Sequence, residues 1–224
     1  MLALKDVGRK GRDRSNTVPS VATMMADNQL LNNNGGDGDD IFVYTGGEQE
    51  VPRDVKRVRI AENVDTIPAR LFFSCTLLIE VEGHNKLKKI EQRAFHECPS
   101  LRRATKMQGV VEVEDYAFGR CSALSELDFD KLEIIGNRGF IDCKSLSAVN
   151  MPSVRRIGAY AFNGCDALTD VVFGKDLERI EAFAFLNCIA LRSITIPLKD
   201  NLTFVNSAFS CCGNLSRVDT LPGG

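Results

Sequence analysis

The sequence has no tryptophan and two histidines, His84 and His96. That leaves few side chains suited to general acid–base chemistry near neutral pH. Its charge is almost balanced, 28 Lys+Arg against 30 Asp+Glu for a formal −2. This removes any whole-chain electrostatic attraction to nucleic acid or an anionic membrane. No apolar run approaches the roughly 18 residues of a membrane span, which predicts no membrane insertion. The opening residues, from Met1 to Ser15, contain no apolar stretch of the secretory kind, so the expected location is cytoplasmic. A surface or secreted location would need an upstream signal missing from this chain. No Gly-rich phosphate loop, no Ser-His-Asp or Cys-His set and no metal-ligand spacing stands out. The expectation is therefore a protein that is not an enzyme and holds no cofactor and no metal. Cys211 is the one nucleophile outside the pattern below, with no histidine near it in sequence.

What the sequence does have is a period. Seven segments share Phe-x-x-Cys-x-x-Leu, at Phe72, Phe95, Phe118, Phe140, Phe162, Phe185 and Phe209. The steps between these phenylalanines are 23, 23, 22, 22, 23 and 24 residues, and seven of the eight cysteines fall in one register. Self-similarity at this period signals a solenoid, in which one unit cannot bury its apolar face alone but stacked units can. After each Leu comes an alternating stretch, as in Leu124-Ser-Glu-Leu127 and Leu191-Arg-Ser-Ile194, which reads as a β-strand. A turn follows, then apolar residues three apart, as in Leu87/Ile90 and Leu132/Ile135. A small residue then precedes each Phe in most copies, and this segment reads as a short helical turn packing Phe inward.

Repetition also interprets the cysteines. An even number suggests disulfides in a short secreted chain. Here the periodic thiols read as small buried residues filling a column. On that reading, Cys143→Ser or Cys165→Ser places a hydroxyl in an apolar column at a cost on the order of 1–3 kcal/mol. His96-Glu97-Cys98 is too small a set for zinc, which wants four clustered ligands, so His96 reads as an exposed residue on a helical turn.

These residues resemble the BspA-type repeat of the leucine-rich repeat superfamily. The pattern appears nearly whole from Ile180 through Ala184, Phe185, Cys188, Leu191, Ile194 and Ile196 to Pro197. The commoner leucine-rich consensus places Asn or Cys after the strand, whereas here the Cys precedes it. The resemblance implies an α/β solenoid of 22–24-residue strand and short-helix units with a parallel sheet on one face. It also implies a binding or scaffolding role, often at cell surfaces, and says little more about function.

The predicted organisation is a disordered tail over residues 1–40 and a solenoid over 41–224, with eight strand units from about residue 55 to 220. Ile41-Phe-Val-Tyr44 is a further strand candidate that covers the N-terminal edge. The strands after Leu78 and Leu101 meet Gly83 and Lys106 at inward positions, which predicts the loosest pairing there. The last residues, Leu221-Pro-Gly-Gly224, follow a strand directly. That uncapped end is either a contact surface, as in self-association, or the start of a continuation in a longer product.

Outward strand positions form two columns. One reads Arg57, Glu80, Arg103, Glu126, Ala148, Asp170, Ser193, Arg217. The other reads Arg59, Glu82, Thr105, Asp128, Asn150, Val172, Thr195, Asp219. Charges of opposite sign on neighbouring strands neutralise the first half. The later half is small and neutral, and a protein partner can dock there with little desolvation. The candidate contact residues are Ala148, Asn150, Val172, Ser193 and Thr195, with Glu126, Asp128 and Asp170 as an acidic rim. The function expected is a protein-interaction or scaffold module. Its alternative is a cell-surface adhesin that binds a glycan or a host or neighbour-cell protein.

Overall fold

The structure is a computed structural model that describes residues 41–205 and 207–221. The expected tail, residues 1–40, lies outside the described residues. From Ile41 onward the chain winds through two kinds of strand in alternation. The first coils hold β1 (Ile41–Tyr44), β2 (Arg57–Ile60), β3 (Thr66–Ile67), β4 (Glu80–Glu82), β5 (Lys89–Ile90), β6 (Arg103–Thr105), β7 (Glu112–Val113) and β8 (Glu126–Leu127). Then come β9 (Ile134–Ile135), β10 (Ala148–Met151), β11 (Arg156–Ile157), β12 (Asp170–Phe173), β13 (Arg179–Ile180), β14 (Ser193–Pro197), β15 (Thr203–Phe204) and β16 (Arg217–Leu221).

Every pairing is parallel, because each strand meets its equivalent one coil away. The expected sheet runs β1-β2-β4-β6-β8 and resumes as β10-β12-β14-β16. A second parallel sheet joins the two-residue strands, in the order β3-β5-β7-β9-β11-β13-β15. It arises where the apolar residues three apart, such as Leu87 and Ile90, are both buried and pin the backbone between them. The candidate strand at Ile41 is present and pairs with β2, Tyr44 opposite Ile60.

The short helices are a correction. Among the described residues the structure has no helix. The reason lies at two positions in each coil, two residues before and two after the core Phe. Arg93 and Glu97 flank Phe95 with φ of 56° and 62°, and Tyr116 and Arg120 flank Phe118 with 58° and 61°. A right-handed helix cannot carry left-handed residues in its interior. Backbone hydrogen bonds divide accordingly. Alternate amides run along the solenoid, from Arg93 to Asp115 O (3.0 Å), Phe95 to Ala117 O (2.8 Å) and Glu97 to Gly119 O (2.9 Å). The amides between them close tight turns, Ala94 to Glu91 O and His96 to Arg93 O, both at 3.1 Å. A ladder between coils replaces the bonds within a helix and satisfies the buried backbone equally well.

That turn carries the core. Phe72, Phe95, Phe118, Phe140, Phe162 and Phe185 are fully buried and stack as parallel rings, with centroids 5.0 to 5.3 Å apart from Phe72 to Phe209. Such contacts add about 0.5–1.5 kcal/mol to the area each ring buries. Tyr44 closes the N-terminal side edge-on to Phe72 at 6.2 Å. Beside the rings stand the cysteines. The thiols of Cys98, Cys121, Cys143, Cys165, Cys188 and Cys212 each donate to the carbonyl of the Phe one coil earlier, at 3.0 to 3.3 Å. The column thus needs a small side chain with a donor, and thiol meets both demands. Burial pushes the Cys143 and Cys165 thiols well above the ordinary range, so they stay protonated.

Candidate protein-interaction face

The outward columns follow the expected register wherever the strands pair. Arg57 stands beside Glu80, Glu80 beside Arg103 and Arg103 beside Glu126. On this half the charges are mutually occupied. Arg59 bonds Glu82 at 2.8 Å, Arg103 bonds Glu80 at 3.0 Å, Arg57 lies 3.9 Å from Glu80, and Lys106 also reaches Glu82. The contacts of Lys106 and Arg59 hold the Glu82 carboxyl below its usual range.

Between β8 and β10 the sheet is interrupted. This differs from the expectation that the strands after Leu78 and Leu101 pair most loosely, since β4 and β6 are both in full register. Gly83 leaves its inward place to Met107, whose sulfur lies 2.9 Å from where a Cβ would stand. At the break Asp128 turns back onto the preceding coil. Its carboxylate accepts the amides of Lys106 (2.7 Å) and Met107 (2.9 Å) and the Gln108 side chain (2.9 Å). Strand β8 ends one residue earlier, at Leu127.

Beyond the break the neutral residues come together. Asn150 pairs with Val172 and Val172 with Thr195, while Ala148 pairs with Asp170 and Asp170 with Ser193. Asn150, Ala148 and Asp170 are exposed, Val172 is 40% exposed and Thr195 is half-buried. Ser193 is only 7% exposed, because its hydroxyl turns onto the Asp170 carboxylate. That bond, with one from Thr169, holds the Asp170 carboxyl below its usual range. Glu126 is exposed across the break from this row, whereas Asp128 is engaged with backbone. At the far edge Arg217 pairs with Asp219 at 2.9 Å. The face is open and weakly charged. Among the described residues no three His, Cys, Asp or Glu side chains converge to hold a metal ion.

Reading only the strands missed a second feature. The left-handed position before each core Phe holds Arg93, Tyr116, Arg138, Tyr160 and Phe183 in successive coils. Arg93 lies 5.2 Å from the Tyr116 ring, and Arg138 lies 5.4 Å from Tyr116 and 4.8 Å from Tyr160. Tyr160 then stacks on Phe183 at 5.1 Å. The signal was present in the period, at the position two residues before each core Phe. His96 also differs from expectation, for it is 8% exposed rather than open to solvent. Its ring packs edge-on to Tyr116 at 5.3 Å, and its Nδ1 is buried without a hydrogen-bond partner. Gly119 permits this approach, since a Cβ there would lie 2.6 Å from that nitrogen.

The BspA type leucine rich repeat region matches in six copies, over residues 52–156 and 133–223. No curated protein matches the sequence. Among solved structures, a leucine-rich repeat protein from Bacteroides ovatus is 26% identical with a TM-score of 0.63, over 75% of this chain. This chain spans only 42% of that protein's length. The leucine rich repeat protein of T. pallidum is 24% identical with a TM-score of 0.51, over 81% of this chain and 74% of its own, and shows the same fold. The chain belongs to the BspA-type leucine-rich repeat family.

Proposed function

We propose that this member of the BspA-type leucine-rich repeat family is a non-enzymatic protein-interaction or scaffold module whose partner lies across β10, β12 and β14. The observation that carries this is the row Asn150–Val172–Thr195. It is in register and free of ion pairs, with an exposed valine at its centre. The first sheet already satisfies its own charges, so a partner there must break existing pairs before making new ones. A long repeat surface suits docking without a deep pocket. Asn150 and Val172 supply the centre, with Ala148 and Thr195 beside them. Ser193 fixes the Asp170 carboxylate at the rim, which Glu126 and Asp128 continue. Buried thiols that hydrogen-bond carbonyls fit a reducing, cytoplasmic setting.

The test is affinity for the protein recovered by pull-down with the full chain. Asn150→Arg with Val172→Glu replaces the neutral centre by a bulky cross-strand ion pair like that of Arg59 and Glu82, which a partner would have to break and desolvate, and is expected to abolish capture while circular dichroism stays native. Reversing Arg57 and Glu80 together, to Glu and Arg, is expected to leave capture intact. The opposite pattern would move the site to the first sheet.

A further inference from the structure

A different edge of the solenoid carries charge that the fold leaves unanswered. Just after each cysteine turn the chain climbs towards the first sheet, and in the early coils this climb is apolar. Leu77 is 48% exposed, and Ile79, Pro99 and Ala123 lie beside it in a groove of about 350 Å³. Such a volume is at the lower end of the roughly 300–1,000 Å³ of ligand-binding clefts. The amides of Ile79, Arg102 and Ala123 are already engaged between coils. Ile79 donates to Lys56 O (2.7 Å), Arg102 to Ile79 O (2.8 Å) and Ala123 to Pro99 O (3.2 Å). An added strand would have to compete with this ladder, so recognition falls to side chains.

Among the described residues the charged side chains lining the groove are Lys56 and Arg102, two coils apart. Both are exposed, and among the described residues neither has a carboxylate within ion-pair distance. Their neighbours on the same coils, Arg57, Arg59, Arg103 and Lys106, are paired with Glu80 and Glu82. An apolar floor between two unanswered cations selects an apolar side chain between two carboxylates. No aromatic ring lines the groove, which disfavours a stacked nucleic-acid base.

We propose that this groove is a second contact site, which takes an extended acidic peptide segment of a partner protein. Lys56 and Arg102 lie two coils apart, about 10 Å at the usual spacing of neighbouring strands. In an extended peptide, residues i, i+2 and i+4 share one face and span about 13 Å. Long Lys and Arg side chains cover the difference. The segment thus has a carboxylate, an apolar residue and a second carboxylate at alternate positions. Arg102 offers the second carboxylate a two-pronged hydrogen bond.

The experiment is an amide NMR titration of the full chain with the capped pentapeptide Glu-Ser-Leu-Ser-Glu, up to about 1 mM, the weak end of specific recognition. Shifts are expected at Leu77, Ile79, Ser100 and Ala123, and to fade as salt is raised. The peptide with Lys in place of both Glu should produce none. Lys56→Glu with Arg102→Glu should weaken the acidic peptide about tenfold or more and transfer the response to the lysine peptide. These exposed positions make no ion pair, so folding is preserved. Asn150→Arg with Val172→Glu should leave the titration unchanged, which separates this site from the face across β10 to β14. Absence of shifts at the groove, or equal response to both peptides, or unchanged selectivity in the reversed variant, would each overturn the proposal.

Discussion

At the scale of single residues, the core is chosen for hydrogen-bonding capacity as well as size. The Cys143 thiol lies 3.2 Å from the Phe118 carbonyl. A hydroxyl at that position would meet an acceptor rather than a wholly apolar wall. The loss for Cys143→Ser is therefore expected below the 1–3 kcal/mol of an unsatisfied buried hydroxyl, at about 1 kcal/mol or less. Cys143→Ala, which removes the donor, should cost at least as much. Urea midpoints of the two variants decide this, and a serine variant clearly weaker than the alanine one would refute it. His96 makes the complementary case. Burial depresses its pKa and Arg120 and Arg93 add to this, while Glu97 and the Gly119 backbone oppose it. The folded state thus favours neutral imidazole. Its contribution is fully present above the unfolded value, about 6.5, and is lost as pH falls below that value, because the unfolded chain takes the proton first. Stability should decline as pH falls below about 6.5, and His96→Phe should flatten the decline. An unchanged slope in His96→Phe would assign the decline elsewhere.

At the scale of elements, the turn around each Phe is where local structure and sequence reading part. Gly164 tests it by the sign of one effect. In a helix, Gly→Ala stabilises by about 1 kcal/mol. Here Gly164 has φ of 72°, and an added Cβ would lie 2.6 Å from Asp142 Oδ1. Gly164→Ala is expected to destabilise by about 1–2 kcal/mol, read as a fall in urea midpoint, and a rise would restore the helix. The columns of Phe, Cys and Leu, the strands and the parallel register were legible because identical side chains recur at one spacing. The missing helix was not, because Arg93, Tyr116 and Arg138 have no glycine-like signature to announce a positive φ. Only the ladder between coils makes that conformation worthwhile, and it exists only in the stack. The face from Asn150 to Thr195 was legible as chemistry through the period-two alternation. The burial of Ser193 was not, because it depends on a bond to a neighbour one coil away. The same limit applies at the N-terminal end. As the first repeat, Phe72 reads as a fraying position, yet Tyr44 covers it and leaves it fully buried. Phe72→Ala is accordingly expected to cost about 3–5 kcal/mol, as Phe162→Ala does. Phe209, stacked on one side and half-buried, should cost less.

At the scale of the whole molecule, stability is a chain of contacts between neighbouring coils, and the chain is uneven. Most neighbours are joined by four tracks: the long-strand sheet, the short-strand sheet, the amide ladder of the Phe turn and the Phe stack. Between β8 and β10 the first track is absent. Ser125 donates to Arg102 O and Thr169 to Ser147 O, but Ser147 has no such bond to the coil before it. What crosses the gap is the pairing of Ile134 with Arg156 and Ile135 with Ile157, the Phe-turn amides of Arg138 on Ala159 O, Phe140 on Ala161 O and Asp142 on Asn163 O, the Ser145 amide on Ser122 O, and Phe140 stacked on Phe162 at 5.3 Å. Phe129, edge-on to both Phe118 and Phe140 at 6.3 Å, braces the same point. Phe140→Ala therefore removes the ring stack where the long-strand sheet is already missing, whereas Phe95→Ala removes it where that sheet is intact. In a nearest-neighbour stack, weakening one interface below its neighbours uncouples the parts on either side. Both variants should lose about 3–5 kcal/mol. Only Phe140→Ala is expected to unfold in two steps, with amides from β10 onward exchanging in a different denaturant range from those before β8. Hydrogen exchange along a urea series reads this directly, since Thr169 and Arg192 report one side and Arg102 and Ser125 the other. A single shared transition in both variants would mean that the short-strand sheet and the amide ladder of the Phe turn suffice to couple the molecule, and the gap would then have no energetic consequence.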